Sequence, residues 1–337
     1  MMPKNGYFLS RSRVALVAAT MAAFIGAAAC GSSQDATPAA STPLNVRVGY
    51  IIPAPGGWPL EAAIDQGIFK KKNLDVTLVQ VQRDSDCLRA LASGSLDACA
   101  SAADSVIRVA DGGADVSLVA GLTDKEPEML VGAKGVDNVQ ALKGQKVAVV
   151  GPTEGSTLSL LALLAADGVK PDDVIKISVG GSSSRLAALT TGQAAATMLA
   201  APQSLYTVAD GLPKLATAGQ DPSTNYGHFL AAGKNLSGDK KEAMQRLVDG
   251  LAEASDWLMD PANKDAVIRE AETGVMQIKS GFGKQAYDLY VGGGSIAAHA
   301  QPSLATVDSV VGMMKTYSGF QPVHSSADYI DTSYVSK

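Results

Sequence analysis

Val76-Thr-Leu-Val-Gln-Val81 runs into Arg83-Asp84-Ser85-Asp86, and 98 residues later Val174-Ile-Lys-Ile-Ser-Val179 runs into Gly181-Ser182-Ser183-Ser184. The correspondence continues with Leu88-Arg-Ala-Leu-Ala-Ser-Gly94 against Leu186-Ala-Ala-Leu-Thr-Thr-Gly192. Val109-Ala110-Asp111-Gly112 then matches Val208-Ala209-Asp210-Gly211 with one residue of slippage. Upstream, Val46-Arg-Val-Gly-Tyr-Ile-Ile52 pairs with Lys146-Val-Ala-Val-Val150. One unit therefore occurs twice. Each copy reads strand, helix, strand, helix, strand, helix. In the first copy the strands fall near 46–52, 75–81 and 96–100, and the helices near 58–66, 86–93 and 104–111. Short Val- and Ile-rich runs bounded by Gly, Asp or Pro read as strands. Alternating with helices, they predict mostly parallel sheets covered on both faces. The fold class expected is α/β, with two similar lobes.

After residue 235 the alternation stops. Met244, Leu247, Val248, Leu251, Ser255 and Leu258 recur at helical spacing, and Asp260-Pro261 ends that helix. Further helices are expected near 261–272, 282–291 and 303–316. With no strands left to build a third sheet, they should pack on an existing lobe.

The chain of 337 residues suits about two domains. It has 28 basic against 33 acidic residues and no basic stripe, which argues against a nucleic-acid partner. Lys4, Arg11 and Arg13 precede an apolar run from Val14 to Ala29, the pattern of a secretory signal over residues 1–29. The run ends Ala27-Ala28-Ala29-Cys30-Gly31, which resembles the lipobox of bacterial lipoproteins and implies lipidation of Cys30. Residues 30–44, rich in Ser, Ala, Thr and Pro, should be a flexible tether. Loss of the three basic residues takes the formal charge from −5 to −8. An extracytoplasmic, lipid-anchored, acidic body is expected.

Leu60-Glu-Ala-Ala-Ile-Asp-Gln-Gly67-Ile-Phe69 followed by Leu74-Asp75-Val76 resembles ABC-transporter substrate-binding proteins of the nitrate/sulfonate/taurine type. Ala92-Ser93-Gly94-Ser95-Leu96-Asp97-Ala98 is similar to that family's turn before the third strand. Leu142-Lys143-Gly144 with Lys146-Val147-Ala148-Val149 resembles the opening of its second lobe, and Asp328-Tyr329-Ile330-Asp331 its C-terminal end. The resemblance implies a periplasmic-binding fold of the second topological type. Lobe one would comprise 45–127 and 230–337, lobe two 132–224, and hinge crossovers 128–131 and 225–229. It implies a monomer that delivers a small-molecule solute to an ABC permease driven by a separate ATPase, with no cofactor and no metal.

In open parallel sheets ligands bind beyond the carboxyl ends of the strands, where helix N-termini offer free N–H groups. The loops at those ends supply the candidates. In lobe one, Gly57 would let a ligand approach and Trp58 could stack on a planar group, or else pack in the core. Asp84 and Ser85 follow the second strand, Ser101 and Asp104 the third. The acids there could hold an amine or serve as helix caps. In lobe two, Thr153, Ser156 and Thr157 open one helix, Ser182 and Ser183 another, and Gln203 a third. Arg185 should face solvent. Tyr226 and His228 lie on the return hinge. Hydroxyls and helix starts favour an anion, whereas Asp84, Asp104 and Glu154 oppose a bare one. A sulfonate or taurine-like solute, a zwitterion and a heteroaromatic molecule all stay open.

Cys87 starts a helix and Cys99 ends the following strand, so both fall at one sheet edge within bridging distance, and a disulfide is expected outside the cytoplasm. A second reading of the chain is a sensor that signals to a receptor. A third is an enzyme: some relatives make the thiamine pyrimidine and carry a Cys-rich motif with a catalytic His, which Cys87 and Cys99 do not reproduce. No His-Glu-x-x-His or Gly-x-Ser-x-Gly motif is present.

Overall fold

The computed structural model describes residues 42–51, 54–81 and 83–335. The signal peptide expected at 1–29, lipidation at Cys30 and nearly all of the tether lie outside the described residues.

The repeat becomes two five-stranded sheets. The first opens with β1 (Leu44–Tyr50), β2 (Leu74–Gln80), β3 (Ala98–Ala102) and β4 (Val116–Thr123). Between them lie α1 (Trp58–Asp65), α2 (Ile68–Lys71), α3 (Asp84–Ala92) and α4 (Ala103–Asp111). The chain then crosses to the second sheet with β5 (Met129–Gly132), β6 (Lys146–Val149), β7 (Ile175–Ser178), β8 (Ala196–Leu199) and β9 (Lys214–Thr217). Its helices are α5 (Gly155–Ala166), α6 (Ser182–Thr190) and α7 (Gln203–Ala209). The chain returns in β10 (His228–Gly233) and finishes with α8 (Gly238–Met259), α9 (Lys264–Thr273), α10 (Gly283–Tyr290) and α11 (Leu304–Met313).

The strand orders are β2-β1-β3-β10-β4 and β7-β6-β8-β5-β9. This is the two-lobed arrangement of the type II periplasmic-binding fold. Each lobe thus holds one strand that arrives from the other. β10 is antiparallel to β3 and β4, and β5 is antiparallel to β8 and β9. Four of the five strands in each sheet thus run one way, so the sheets are mostly parallel as expected, with one reversed strand each. The physical cause is direction: a chain leaving one cleft edge enters the other sheet from its cleft end, against the strands already there. Of the segments expected as hinges, 129–131 lie in β5 and 228–229 in β10. The spans between lobes are 124–128 and 218–227, which lie side by side: Glu126 N–H donates to Tyr226 C=O at 2.7 Å, and Ala218 N–H to Glu128 C=O at 2.8 Å.

β4 is an edge strand, yet all eight of its residues are buried. The C-terminal region covers it. Ile330 bridges to Leu118 and Ile296 to Thr123, and the Asp331 N–H donates to Leu118 C=O at 2.9 Å. Covering an exposed edge removes a template for aberrant pairing. α8 buries Met244, Leu247, Val248, Leu251, Ser255 and Leu258, the stripe read from its spacing.

Cys87 on α3 and Cys99 on β3 form a disulfide, with Cα atoms 6.0 Å apart. Gly49 on β1 makes room for it. A β-carbon there would stand 2.3 Å from Cys87 Sγ and 2.6 Å from Leu96.

Candidate functional site

Four kinds of backbone position converge where the lobes meet: the end of β3, the starts of α3 and α4, the starts of α5 and α6, and the two spans between lobes. They gather an unusual number of buried polar groups. Ser101, Asp104, Glu126, Glu128, Ser156, Thr157 and Arg185 are all buried. Such groups are costly to bury without partners.

Part of the set is satisfied within the chain. The Tyr290 hydroxyl donates to one Glu126 oxygen, and His228 Nδ1 lies 3.1 Å from the other. Burial acts to lower the His228 pKa, but the hydrogen bond and charge of Glu126 outweigh it and the net direction is upward. Burial, then Glu126, pushes the Tyr290 hydroxyl well above its usual range. Arg185 reaches back from α6 to Glu128 at 3.6 Å, and donates to Ser156 Oγ at 3.0 Å and Ser182 Oγ at 3.1 Å. Tyr226 is held well above the usual phenol range by burial and then by Glu128.

Other atoms have no partner: one oxygen each of Asp84, Asp104 and Glu128, Thr157 Oγ1, and Nε of Arg185. Burial, reinforced by Asp84, raises Asp104 to about 7. Burial also raises Asp84, against the pull of His228. The lobes touch across this cluster. Arg108 of α4 donates to Thr153 C=O at 3.0 Å, and Gly155 packs on Asp104 and Tyr226. Gly56 is close-packed in the same way against Glu126 and His228.

Of the residues singled out by sequence, the structure brings together Asp84, Ser101, Asp104, Thr153, Ser156, Thr157, Ser182, Tyr226 and His228. Five do not join them. Trp58 is fully buried in the core of lobe one, where its indole N–H donates to Glu270 at 2.7 Å. It follows a tight Pro-Gly-Gly turn and begins a helix whose first six residues are all buried. Ser85 is exposed, because the inward side of α3 is set by Asp84, Cys87 and Leu88. Ser183 is exposed for the same reason: Ser182 and Arg185 take the inward positions of α6. Gln203 instead lines a separate cavity of about 350 Å³ with Tyr206 and Lys279. Gly57 ends the turn before α1 and lies beside Glu61.

Glu126, Glu128, Tyr290 and the inward Arg185 escaped the sequence reading. Glu128 was read only as the start of a hinge crossover, and Glu126 was not singled out. Their signal was position: two acids between strands that are buried throughout. Arg185 was assigned to solvent, whereas it is 4% exposed. Nothing in sequence places Tyr290, which arrives from α10.

Residues 56–264, well over half of the chain, match the family described as NMT1/THI5 like. The chain belongs to that family. Among solved structures, this NMT1/THI5-like protein is similar to a protein of Bordetella bronchiseptica RB50, with 21% identity and a TM-score of 0.68 over 86% of this chain and 95% of that one. It is similar to the alkanesulfonate-binding protein SsuA of Xanthomonas axonopodis pv. citri bound to MOPS, with 18% identity and a TM-score of 0.70 over 87% and 100%. It is also similar to the periplasmic aliphatic sulphonate binding protein SsuA of Escherichia coli, with 21% identity and a TM-score of 0.59 over 73% and 84%. No curated protein matches the sequence. Among the described residues, no helix is long and apolar enough to cross a membrane, and no group of three or more His, Cys, Asp or Glu could hold a metal.

Proposed function

We propose that this NMT1/THI5-like protein is the extracytoplasmic solute-binding component of an ABC importer. It captures one small organic solute between two closing lobes and delivers it to a permease powered by a separate ATPase. The observation that carries this reading is the interlobe cluster: polar groups from both lobes and both spans, buried together, several with no partner in the chain. A site completed only when two lobes meet is a capture device. The sulfonate-binding neighbours support the same role.

The proposal includes export by residues 1–29, a lipid anchor at Cys30, a tether to 44, and action as a monomer. It takes 124–128 and 218–227 as the hinge. The state of the cysteines and of His228 favours binding over the enzyme reading. Both described cysteines are joined to each other, and His228 is held by Glu126.

Thermal-shift screening of the purified protein against a broad solute library tests the reading. A solute at a hundred times its dissociation constant adds ~2.7 kcal/mol. The expected result is a clear hit, with a smaller radius of gyration in solution when it is bound. A well-folded protein with no hit, and no solute released on denaturation, would count against capture.

A further inference from the structure

Three helix starts at the cleft carry carboxylates of their own. Asp84 lies in the first turn of α3, Asp104 in the first turn of α4, and Glu154 is the residue that caps α5. These are the positions where an oxyanion would meet free N–H groups and the positive end of a helix. The Glu154 carboxylate accepts the Thr153 N–H at 3.2 Å. At α6 the positive charge of Arg185 is already set against Glu128. A simple oxyanion would therefore approach negative charge at every cradle that could hold it.

Asp84 accepts from Ser101, Ser105 and the Ala102 N–H, and what this wall lacks is a charged donor. One oxygen of Asp84 and one of Asp104 are buried without a hydrogen-bond partner, and Asp104 is 1% exposed. The two residues are neighbours: Ser105, adjacent to Asp104, donates to the other Asp84 oxygen at 3.5 Å. Arg108 and His228 both act on this pair, but Arg108 is directed to Thr153 C=O and Ser318, and His228 to Glu126. A buried carboxylate without a counter-charge is strongly disfavoured, and an N–H donor bearing positive charge makes the strongest hydrogen bond to it.

We infer that the solute carries a protonated nitrogen, an ammonium or amidinium group, which sits between Asp84 and Asp104 and donates to their two free oxygens beneath Gly155 of lobe two. This rests on the solute-binding reading above and narrows it. From lobe two, the unpartnered Thr157 hydroxyl and Arg185 Nε can donate to an acceptor elsewhere on the solute.

The test uses the whole exported protein and matched pairs that differ at the nitrogen. These are 2-aminoethanesulfonate against 2-hydroxyethanesulfonate, 4-aminobutanoate against 4-hydroxybutanoate, benzylamine against benzyl alcohol, and benzamidine against benzamide. A broad solute library runs beside them. Binding is read by calorimetry, and ligand-free melting confirms that each variant folds. Wherever a pair binds, the cationic member is expected to bind at least tenfold more tightly, and library hits should carry a protonated nitrogen. Asp84→Asn and Asp104→Asn should each cost at least tenfold in affinity while remaining folded. Equal binding of the nitrogen-free members overturns the inference. So does unchanged affinity in the folded Asp84→Asn variant. Binding confined to nitrogen-free anions overturns it too, and leaves the capture reading standing. No binding by any pair or library member counts against capture itself, and the inference falls with it.

Discussion

Gly155, in the first turn of α5, lies so close to Asp104 of the opposite lobe that a β-carbon would stand 2.8 Å from Oδ1. It would also stand 2.9 Å from the Tyr226 ring. Neither neighbour is the loose tip of a surface side chain, because both residues are buried. Gly155→Ala is therefore expected to hold the lobes apart. Solute affinity should fall at least tenfold, about 1.4 kcal/mol. The melting temperature without solute should barely move, since the added methyl group meets the other lobe and not its own core. Calorimetry and small-angle scattering with solute present check this. A variant that binds and contracts like the parent would show that closure does not need the contact.

Asp104 also makes stability depend on pH. Burial, Asp84 and Glu154 raise it to about 7, against the pull of Arg108. A carboxyl whose folded pKa lies above its unfolded value binds its proton more tightly when folded. Its contribution is thus most favourable at low pH and is lost as pH rises from about 4 to about 7. Roughly three pKa units correspond to ~4 kcal/mol, the upper scale of the loss. Asp104→Asn removes the charge. The variant should unfold at higher denaturant than the parent at pH 8, and the gain should shrink toward pH 4.5. Urea titrations at the two values give the comparison. A gain that is the same at both would remove Asp104 as the cause.

Most of the fold was legible in the sequence because the repeat carries it. β1, β2, β3, α1, α3 and α4 fall within two residues of where the sequence pattern placed them, while the short α2 was not expected. The buried stripe of α8 was visible for the same reason, since periodicity encodes which face is covered. What the sequence hides is the partner of each face. Local pattern cannot show that β5 and β10 exchange sheets, because an antiparallel strand has the same alternation as a parallel one. The candidate site divides along that line. Asp84, Asp104 and Ser156 follow strands in chain order, so strand ends point to them. Glu128 and Arg185 meet only because the span that enters β5 passes the start of α6, and each alone looks like an ordinary charged surface residue. Trp58 shows the converse: its loop position left cleft and core both open, and the buried first turns of α1 draw it into the core.

The disulfide between Cys87 and Cys99 closes a short loop through α3 and into β3, with a sequence separation of 12. A cross-link of that length restricts the unfolded chain by ~3 kcal/mol in the entropic account. The paired Cys87→Ala and Cys99→Ala variant should lose about 2–3 kcal/mol of unfolding free energy. Treatment of the parent with a strong reductant should reproduce most of the loss, and the same reductant should leave the variant unmoved. Solute affinity should change little, because the bond holds α3 to its own sheet and lies behind the first turn that presents Asp84. An unaltered urea midpoint in the variant would mean that packing alone holds this edge.

Trp58 and Glu270 make the last case, since they separate a structural polar contact from the solute site. The indole N–H is the donor for one Glu270 oxygen, and the other oxygen has none. Burial pushes Glu270 up to about 8 in spite of that hydrogen bond. Trp58→Phe removes the indole donor from this buried carboxyl, which is left with Asp65 beside it. The unmet group costs about 1–3 kcal/mol, and the smaller ring adds to that. Replacing Glu270 as well removes the unmet group, so Trp58→Phe with Glu270→Met should recover much of the stability lost in the single variant. Throughout the series, solute affinity should stay within about twofold, well under 1 kcal/mol. Urea unfolding and calorimetry on the three proteins decide it. A large loss of affinity in Trp58→Phe, with stability intact, would place the indole at the solute after all.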